Sequence, residues 1–241
     1  MEICAKSDRG RIRELNEDSF AVQELGAYTL LIVADGMGGH KAGEVASSVA
    51  VQKIQEYITE NVEVYPVPHL LEQAMSQANE LIYNRAKEDP DCAAMGTTAV
   101  ACCMTGTEAY FANVGDSRAY LLGMDGMEQV TEDHSLVMEL LRQGEITQEE
   151  AERHPQKNVI TRALGTERTV QTDLFHCELQ PEDMLLLCSD GLTGMLSEEE
   201  IAAVMWLEEP LEARVDRLIS MANERGGYDN ITVIAVTQKE G

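Results

Sequence analysis

The chain has 241 residues, a hydrophobic share of 44% and a formal net charge of −25 at pH 7. So acidic a chain offers no basic patch to nucleic acid or to an anionic membrane, and no run approaches the roughly 18 apolar residues of a membrane span. The first residues lack the pattern of a secretory signal, and most cysteines lie in apolar runs. We expect one soluble, cytoplasmic, monomeric domain over residues 1–241, with reduced cysteines and no affinity for membranes or nucleic acid.

The first third of the chain predicts three strands and then two helices. Apolar runs indicate strands at about 2–6, 18–24 and 28–34. Residues 43–62 carry apolar side chains at helical spacing, and a second amphipathic helix follows over about 69–88. The apolar side of this second helix consists of Leu70, Leu71, Ala74, Met75, Ala78, Leu81 and Ile82.

The middle of the chain changes to short apolar runs divided by glycine-containing turns, which is typical of an antiparallel meander. These runs are 96–104, 108–114, 118–122 and 128–130. The following segment, 131–165, is polar and mostly helical, at 135–143 and 147–153. We interpret it as an insertion over one end of the sheet, a candidate substrate flap.

The last third predicts a strand, two helices and a final strand, at 183–189, about 197–207, about 210–224 and 231–236. Pairs of helices alternate with groups of strands, without regular βαβ spacing. This order predicts an α+β fold of antiparallel sheets with helices packed outside.

Acidic residues stand at the ends of five predicted strands. Asp35 ends an apolar run and is followed by three glycines, and Asp190 ends a second run of the same design. Asp18, Asp116 and Asp229 lie at comparable strand ends. Gathered carboxylates repel one another unless a cation lies among them, and hard divalent cations prefer oxygen ligands. An ordinary strand–turn–helix connection around Asp35, or a turn stabilised by Asp116, is the simpler alternative.

Eight short motifs occur in a fixed order along residues 3–236. They are Arg13-Glu-Leu-Asn-Glu-Asp18, Val33-Ala-Asp-Gly-Met-Gly-Gly39, Gly96-Thr-Thr98, Asn113-Val-Gly-Asp-Ser-Arg118, Asp133-His-Ser135, Ile160-Thr-Arg-Ala-Leu-Gly165, Ser189-Asp-Gly-Leu192 and Asp229-Asn-Ile-Thr232. Together they resemble the metal-dependent serine/threonine protein phosphatases, the protein phosphatase 2C family, in its compact bacterial form. The resemblance implies a four-layer α-β-β-α sandwich, in which two antiparallel sheets are flanked by helices.

The resemblance also implies a centre of two or three Mn²⁺ or Mg²⁺ ions. Asp35 would bridge two metals, and Gly36 would bind through its carbonyl. Asp190 and Asp229 would complete the first metal's shell, and Asp116 would share a third ion with Asp190. Two metals ~3.5–4 Å apart can share a water molecule, lower its pKa and direct it in line at phosphorus.

Two further residues are assigned to the site by their positions in the motifs. Arg13 would bind the substrate phosphate, since a guanidinium holds two oxygens at once, although it could be a plain surface arginine. Asp18, like Glu17, would act through metal-bound water or would brace its strand.

Three other residues of the motifs have structural interpretations. Arg118 is expected to brace a carboxylate, and Asp133 or Ser135 to cap a helix.

One position departs from the animal members of the family, which carry a histidine after the Asp-Gly pair as a proposed general acid. Here that residue is Met37, whose thioether cannot donate a proton. His40 and metal-bound water are the two candidates to replace it.

The predicted function is the hydrolysis of phosphoserine and phosphothreonine in proteins, opposing a bacterial Ser/Thr kinase in signalling. The alternatives are a small-molecule phosphomonoesterase and an inactive regulatory module on the same fold. A calcium-binding module is disfavoured, because the sequence contains no EF-hand loop pattern.

Overall fold

The structure, a computed structural model of the chain, describes residues 1–38 and 42–238. The strands are β1 (Glu2–Asp8), β2 (Asp18–Leu25), β3 (Tyr28–Met37), β4 (Gly96–Thr97), β5 (Ala99–Thr105), β6 (Glu108–Val114), β7 (Arg118–Gly123), β8 (Gly126–Gln129), β9 (Asp173–Glu178), β10 (Met184–Cys188) and β11 (Ile231–Thr237). The helices are α1 (Ala42–Asn61), α2 (Val67–Glu88), α3 (Leu136–Arg142), α4 (Gln148–Glu152), α5 (Asp190–Thr193), α6 (Glu198–Met205) and α7 (Leu211–Glu224).

These strands form two antiparallel sheets. The first has the order β1-β11-β10-β7-β8, and the second has the order β2-β3-β5-β6-β9 with β4 paired to β3. Helices α1 and α2 pack against each other and cover the second sheet, while α6 and α7 cover the first. The predicted four-layer arrangement of two antiparallel sheets flanked by helices is confirmed.

The central strands are apolar along most of their length because both of their faces are buried. In β3, Leu30 and Ile32 face the helix layer, whereas Leu31 and Val33 face the other sheet. Successive strand side chains point to opposite faces, so an uninterrupted apolar run satisfies both layers at once. The same division holds in β10 and β11. This pattern places a helix-side core on each sheet and a third core between the sheets.

Helix α2 has 22 residues and buries one face against the second sheet. Pro66 precedes its first turn, where a missing N–H leaves no hydrogen bond unmade. The prediction that Leu81 belongs to the buried face was wrong, since Leu81 is 44% exposed while its neighbour Ile82 is fully buried. The buried polar residue on that face is Asn79. Among the described residues, no helix has the length and apolar character that a bilayer crossing requires.

The predicted meander is divided between the two sheets. β5 pairs with β6 in the second sheet and β7 pairs with β8 in the first, so the chain crosses between sheets at Gly115-Asp116. The prediction of one continuous meander was therefore wrong at that turn. The sequence reading also missed β9, which pairs with β6 at the edge of the second sheet.

Segment 131–165 contains α3 and α4, which pack against each other. Ser135 caps α3 by accepting a hydrogen bond from the Met138 N–H, and Thr147 and Glu150 form a reciprocal capping box at α4. Of the two predicted caps, Ser135 is confirmed. The helices expected here are present, and the role of the segment as a flap remains a prediction.

The neighbouring residues Ile82 and Leu81 offer a matched test of the helix packing. Ile82→Ala should lower the free energy of unfolding by about 2–4 kcal/mol, because it leaves a cavity beneath α2. Leu81→Ala should change it by less than about 0.5 kcal/mol. Urea denaturation of both variants measures the difference, and equal losses would contradict the observed face of the helix.

Candidate metal centre

The acidic residues singled out from the sequence meet at one end of the sandwich. Asp18 at the start of β2 is the cross-strand partner of Asp35 near the end of β3. Asp190 follows β10, Asp229 precedes its neighbour β11, and Asp116 lies where the chain crosses between the sheets. In antiparallel sheets the end of one strand lies beside the start of the next, so this topology gathers the five carboxylates.

Close backbone contacts bring Glu17 and the end of β3 together. The Gly36 N–H donates to the Glu17 carbonyl over 3.1 Å. A Cβ on Gly36 would lie 2.1 Å from the Gly43 carbonyl oxygen, and a Cβ on Gly43 would lie 2.5 Å from Oε1 of Glu17. Glycine is therefore required at both positions, because any side chain would push these segments apart.

The backbone of Asp35 is fixed from both sides by the Thr97-Thr98 pair. The Asp35 N–H donates to Oγ1 of Thr98 over 3.0 Å, and the Asp35 carbonyl accepts from the Thr98 N–H over 2.9 Å and from Oγ1 of Thr97 over 2.8 Å. Oγ1 of Thr98 is also hydrogen-bonded to Oγ of Ser117, beside Asp116. These bonds hold the main chain of Asp35 and leave its carboxylate for other partners.

Asp18 is held through only one of its two oxygens. Its Oδ2 accepts from Oγ of Ser189 over 2.7 Å and from Oγ1 of Thr232 over 2.6 Å. Its Oδ1 is buried and has no hydrogen-bond partner among the described residues. The bracing interpretation of Asp18 accounts for Oδ2 and leaves Oδ1 unexplained.

Three other buried carboxylate oxygens in this region lack a hydrogen-bond partner among the described residues. They belong to Glu17 (Oε1), Asp116 (Oδ1) and Asp190 (Oδ1). Unsatisfied buried oxygens are rare in proteins, and an unsatisfied charged oxygen is the most costly kind. Such a cluster is stabilised by a bound cation.

The pKa values report the same shortage of positive charge. Burial, followed by repulsion from neighbouring carboxylates, raises the pKa of Asp190 to about 6, of Asp18 to about 7 and of Asp116 to about 8. The pKa of Asp35 is raised well above its usual value, first by burial and then by Asp18 and Asp190.

The donor set fits hard divalent cations, since every candidate ligand is an oxygen. Within the described ranges, no three His, Cys, Asp or Glu side chains already stand in the arrangement of a finished metal site. Mg²⁺ is typically held by only one or two carboxylates and keeps several waters. A site completed by waters and a backbone carbonyl does not require three converging side chains, and the buried oxygens without a hydrogen-bond partner among the described residues are acceptors that a cation would satisfy.

Arg13 lies at the surface beside this cluster. Its Nη2 donates to Oδ2 of Asp229 over 2.7 Å, and that hydrogen bond raises the pKa of the guanidinium. The Arg13 side chain is 47% exposed, so it is accessible to a ligand from solvent. The structure thus brings Arg13 together with the predicted metal ligands.

A cavity of about 960 Å³ adjoins the cluster. Asp116, Asp190 and Asp229 form part of its wall, and α5, the start of α6 and the 131–165 segment form most of the rest. The residues contributed by the 131–165 segment are Asp133, Ser135, Val137, Met138, Gln148, Ala151, Lys157 and Asn158. The predicted flap therefore borders the space next to the candidate metal ligands.

The base of the 131–165 segment is held by two ion pairs. Arg118 donates to both oxygens of Asp133, at 2.9 Å from Nε to Oδ1 and 2.7 Å from Nη2 to Oδ2, which confirms its predicted bracing role. Arg162 donates from Nη1 to Oδ1 of Asp173 over 2.8 Å.

The buried His134 joins the base of this segment to the turn before Asp116. Its Nδ1 accepts from the Gly115 N–H over 2.9 Å, and its Nε2 lies 3.1 Å from Oδ2 of Asp173 and 2.8 Å from Nη1 of Arg162. Burial lowers the pKa of His134.

Met37 is the residue that stands in place of the histidine after the Asp-Gly pair. Met37 ends β3, where it is the register partner of Gly96, and its thioether has no proton to give. His40, one of the two candidate replacements, lies outside the described residues.

The sequence reading missed several residues that order the site. Ser189 and Thr232 hold Asp18, and Thr97 and Thr98 hold Asp35. Asn230 binds the loop that carries Arg13. The signal available in the sequence was their position within the quoted motifs, directly beside the carboxylates.

Comparison with known proteins gives one consistent result. Residues 10–232 match the family model described as protein phosphatase 2C. The serine/threonine phosphatase stp of Listeria innocua is 46% identical over 235 residues, which cover 96% of this chain and 93% of that protein.

Two solved structures show the same fold. The Streptococcus agalactiae serine/threonine phosphatase has a TM-score of 0.93 and 39% identity, with 99% of each chain covered. The catalytic domain of the serine/threonine protein phosphatase PstP in complex with two manganese ions has a TM-score of 0.86 and 35% identity, with 97% of this chain and 96% of that chain covered.

The raised carboxyl pKa values predict how pH and metal act on stability. An unfolded Asp titrates near pH 4, whereas Asp190, Asp18 and Asp116 titrate near 6, 7 and 8 when folded. The folded state then binds more protons between these values, so in EDTA stability should fall as pH rises from about 5 to 8. Mn²⁺ competes with those protons, so it should raise the melting temperature more at pH 8 than at pH 5.5.

Differential scanning fluorimetry at both pH values, in EDTA and in Mn²⁺, measures this effect. Asp116→Asn removes one buried titrating group and should flatten the pH dependence in EDTA. Asp125→Asn, at an exposed turn, should leave the dependence as in the wild type. A wild-type protein whose stability in EDTA is constant or rises over this range would contradict the prediction.

Proposed function

This chain belongs to the protein phosphatase 2C family and is a metal-dependent serine/threonine protein phosphatase, and we propose that it hydrolyses phosphoserine and phosphothreonine with two or three Mn²⁺ or Mg²⁺ ions. The observation that carries the proposal is the set of buried oxygens of Asp18, Asp116 and Asp190 around Asp35, which have no hydrogen-bond partner in the part of the chain that the structure describes. A cluster of this kind has little use in a binding module that lacks metal.

The ligands follow from the position of each residue. Asp35, at the centre of the cluster, would bridge two ions, and the Gly36 carbonyl would bind one of them. Asp190 and Asp229 would complete one shell, and Asp116 and Asp190 would hold a third ion. When bound, the cations would lower the pKa of water and neutralise charge on the phosphoryl group.

The remaining residues position the substrate and maintain the site. Arg13 would bind two phosphate oxygens, since a planar guanidinium matches their spacing. Asp18 would keep Oδ2 on Ser189 and Thr232 and offer Oδ1 to a water at the metal. The cavity of about 960 Å³ is much larger than a phosphorylated side chain, which favours a phosphoprotein over a small phosphoester as the substrate.

The biological setting follows from the reaction class. A bacterial phosphatase of serine and threonine residues would oppose a Ser/Thr kinase in signalling. A monomeric state and a cytoplasmic location remain predictions that are consistent with this role.

The metal dependence is tested with p-nitrophenyl phosphate and a phosphothreonine peptide, in EDTA, Mg²⁺, Mn²⁺ and Ca²⁺. Activity should require Mn²⁺ or Mg²⁺ and fall at least about 100-fold in Asp35→Ala and Asp190→Ala, which remove metal ligands. Asp125→Asn serves as the control for loss of an acidic charge.

Each outcome of that experiment has a distinct meaning. Preference for the peptide supports a protein substrate, and preference for p-nitrophenyl phosphate favours a small-molecule phosphomonoesterase. Activity that survives EDTA and both substitutions would overturn the metal centre. Inactivity of the wild type with every metal would favour a regulatory module.

Arg13 is tested by separating phosphate binding from metal binding. Arg13→Ala should weaken competitive inhibition by inorganic phosphate about tenfold, and Arg13→Lys should recover only part of it. Mn²⁺ affinity, measured by calorimetry, should stay the same or increase, because Asp229 loses a competing partner. Weaker Mn²⁺ binding with unchanged phosphate inhibition would show that Arg13 serves only to support Asp229.

A further inference from the structure

One buried side chain makes three hydrogen bonds to the loop that carries Arg13, in addition to the bonds from the Arg11 and Ile12 N–H groups to the Gly227 carbonyl. Residues 9–17 connect β1 to β2 without forming a helix or strand of their own. Asn230, directly after Asp229 and only 3% exposed, lies against this loop. Both the nitrogen and the oxygen of its side-chain amide form hydrogen bonds to the loop.

The hydrogen bonds of Asn230 reach loop residues on both sides of Arg13 in the sequence. Its Nδ2 donates to the Arg9 carbonyl over 2.8 Å and to the Leu15 carbonyl over 2.9 Å. Its Oδ1 accepts from the Glu17 N–H over 2.8 Å. Three points of the loop, before and after Arg13, are thereby tied to the start of β11.

We infer that Asn230 is a positioning residue, which orients Arg13 toward the substrate phosphate. The inference rests on the phosphate-binding role proposed above for Arg13. An arginine side chain loses much conformational freedom when it binds, and fixing its backbone beforehand reduces that loss. Because Asn230 adjoins Asp229, the strand start that offers a metal ligand also sets the position of the phosphate-binding residue.

A merely structural role for Asn230 makes a different prediction. Asn79 in α2 provides the comparison, because its amide makes three hydrogen bonds of the same kind to a different loop. Its Nδ2 donates to the Glu167 and Arg168 carbonyls, and its Oδ1 accepts from the Gly165 N–H over 2.8 Å. Asn79 is 1% exposed, and none of these bonds reaches the Arg13 loop.

The test is a double-mutant cycle read by inorganic phosphate as a competitive inhibitor of p-nitrophenyl phosphate hydrolysis in Mn²⁺. Asn230→Ala should weaken phosphate inhibition about five- to tenfold in the wild-type background. In the Arg13→Ala background it should change inhibition less than about twofold, because its effect acts through Arg13. Asn79→Ala should give no such coupling, although it should lower thermal stability to a similar degree.

Three results would overturn the inference. The first is an equal effect of Asn230→Ala in both Arg13 backgrounds, and the second is an equal coupling for Asn79→Ala. The third is a loss of Mn²⁺ affinity in Asn230→Ala, measured by calorimetry, that accounts for the weaker inhibition.

A replacement variant and the result for Arg13→Ala alone keep the test decisive. If Asn230→Ala fails to fold, Asn230→Ser takes its place with the same expectations, because a hydroxyl cannot span all three bonds. If inorganic phosphate inhibits Arg13→Ala as strongly as it inhibits the wild type, the proposed role of Arg13 itself is refuted. If the effects of Arg13→Ala and Asn230→Ala on phosphate inhibition are additive, only the role of Asn230 is refuted.

Discussion

The structure depends on a group of carboxylates that the fold buries together at one end of the sandwich. Asp35 and Asp190 are surrounded by other acids, and burial raises the pKa of both. Without a cation, such a group opposes folding at neutral pH, because each charge is desolvated and repelled by its neighbours. The hydroxyls of Ser189 and Thr232 satisfy one oxygen of Asp18 only. Among the described residues, the fold thus leaves acceptor oxygens without a hydrogen-bond partner at the site proposed for the metal.

The architecture explains how a chain of ordinary hydrophobicity can carry this unfavourable group. Two helix-side cores and the core between the sheets bury the central strands on both faces, and that burial supplies the stability that the site reduces. The acids lie at strand ends, where backbone positions are fixed but the sheet hydrogen bonds stop. Rigid strands therefore hold the candidate metal ligands, while loops and the 131–165 segment border the adjoining cavity.

The sequence predicted the elements that are determined by neighbouring residues in the chain. β3, β10 and β11 were recognisable because burial on both faces requires uninterrupted apolar runs, and the acids at their ends stood out by contrast. The crossing at Gly115-Asp116 could not be predicted, because a tight turn joins strands whether or not they pair. β9 was missed because it is a half-exposed edge strand whose sequence shows no regular alternation of apolar and polar residues, since Leu174 and Phe175 are adjacent. Asn230 was missed as well, since its partners lie more than 200 residues away along the chain.

Asp229 shows how the site and the substrate loop depend on each other. Its Oδ1 accepts from the Asn230 N–H, and its Oδ2 accepts from Arg13. Under the proposed function the same carboxylate would also hold a cation, which would compete with Arg13 for it. A guanidinium released in this way would stay beside the centre, because the amide of Asn230 would still hold the loop. Phosphate binding would follow metal binding, because the arginine exchanges a carboxylate for a phosphate with little backbone movement.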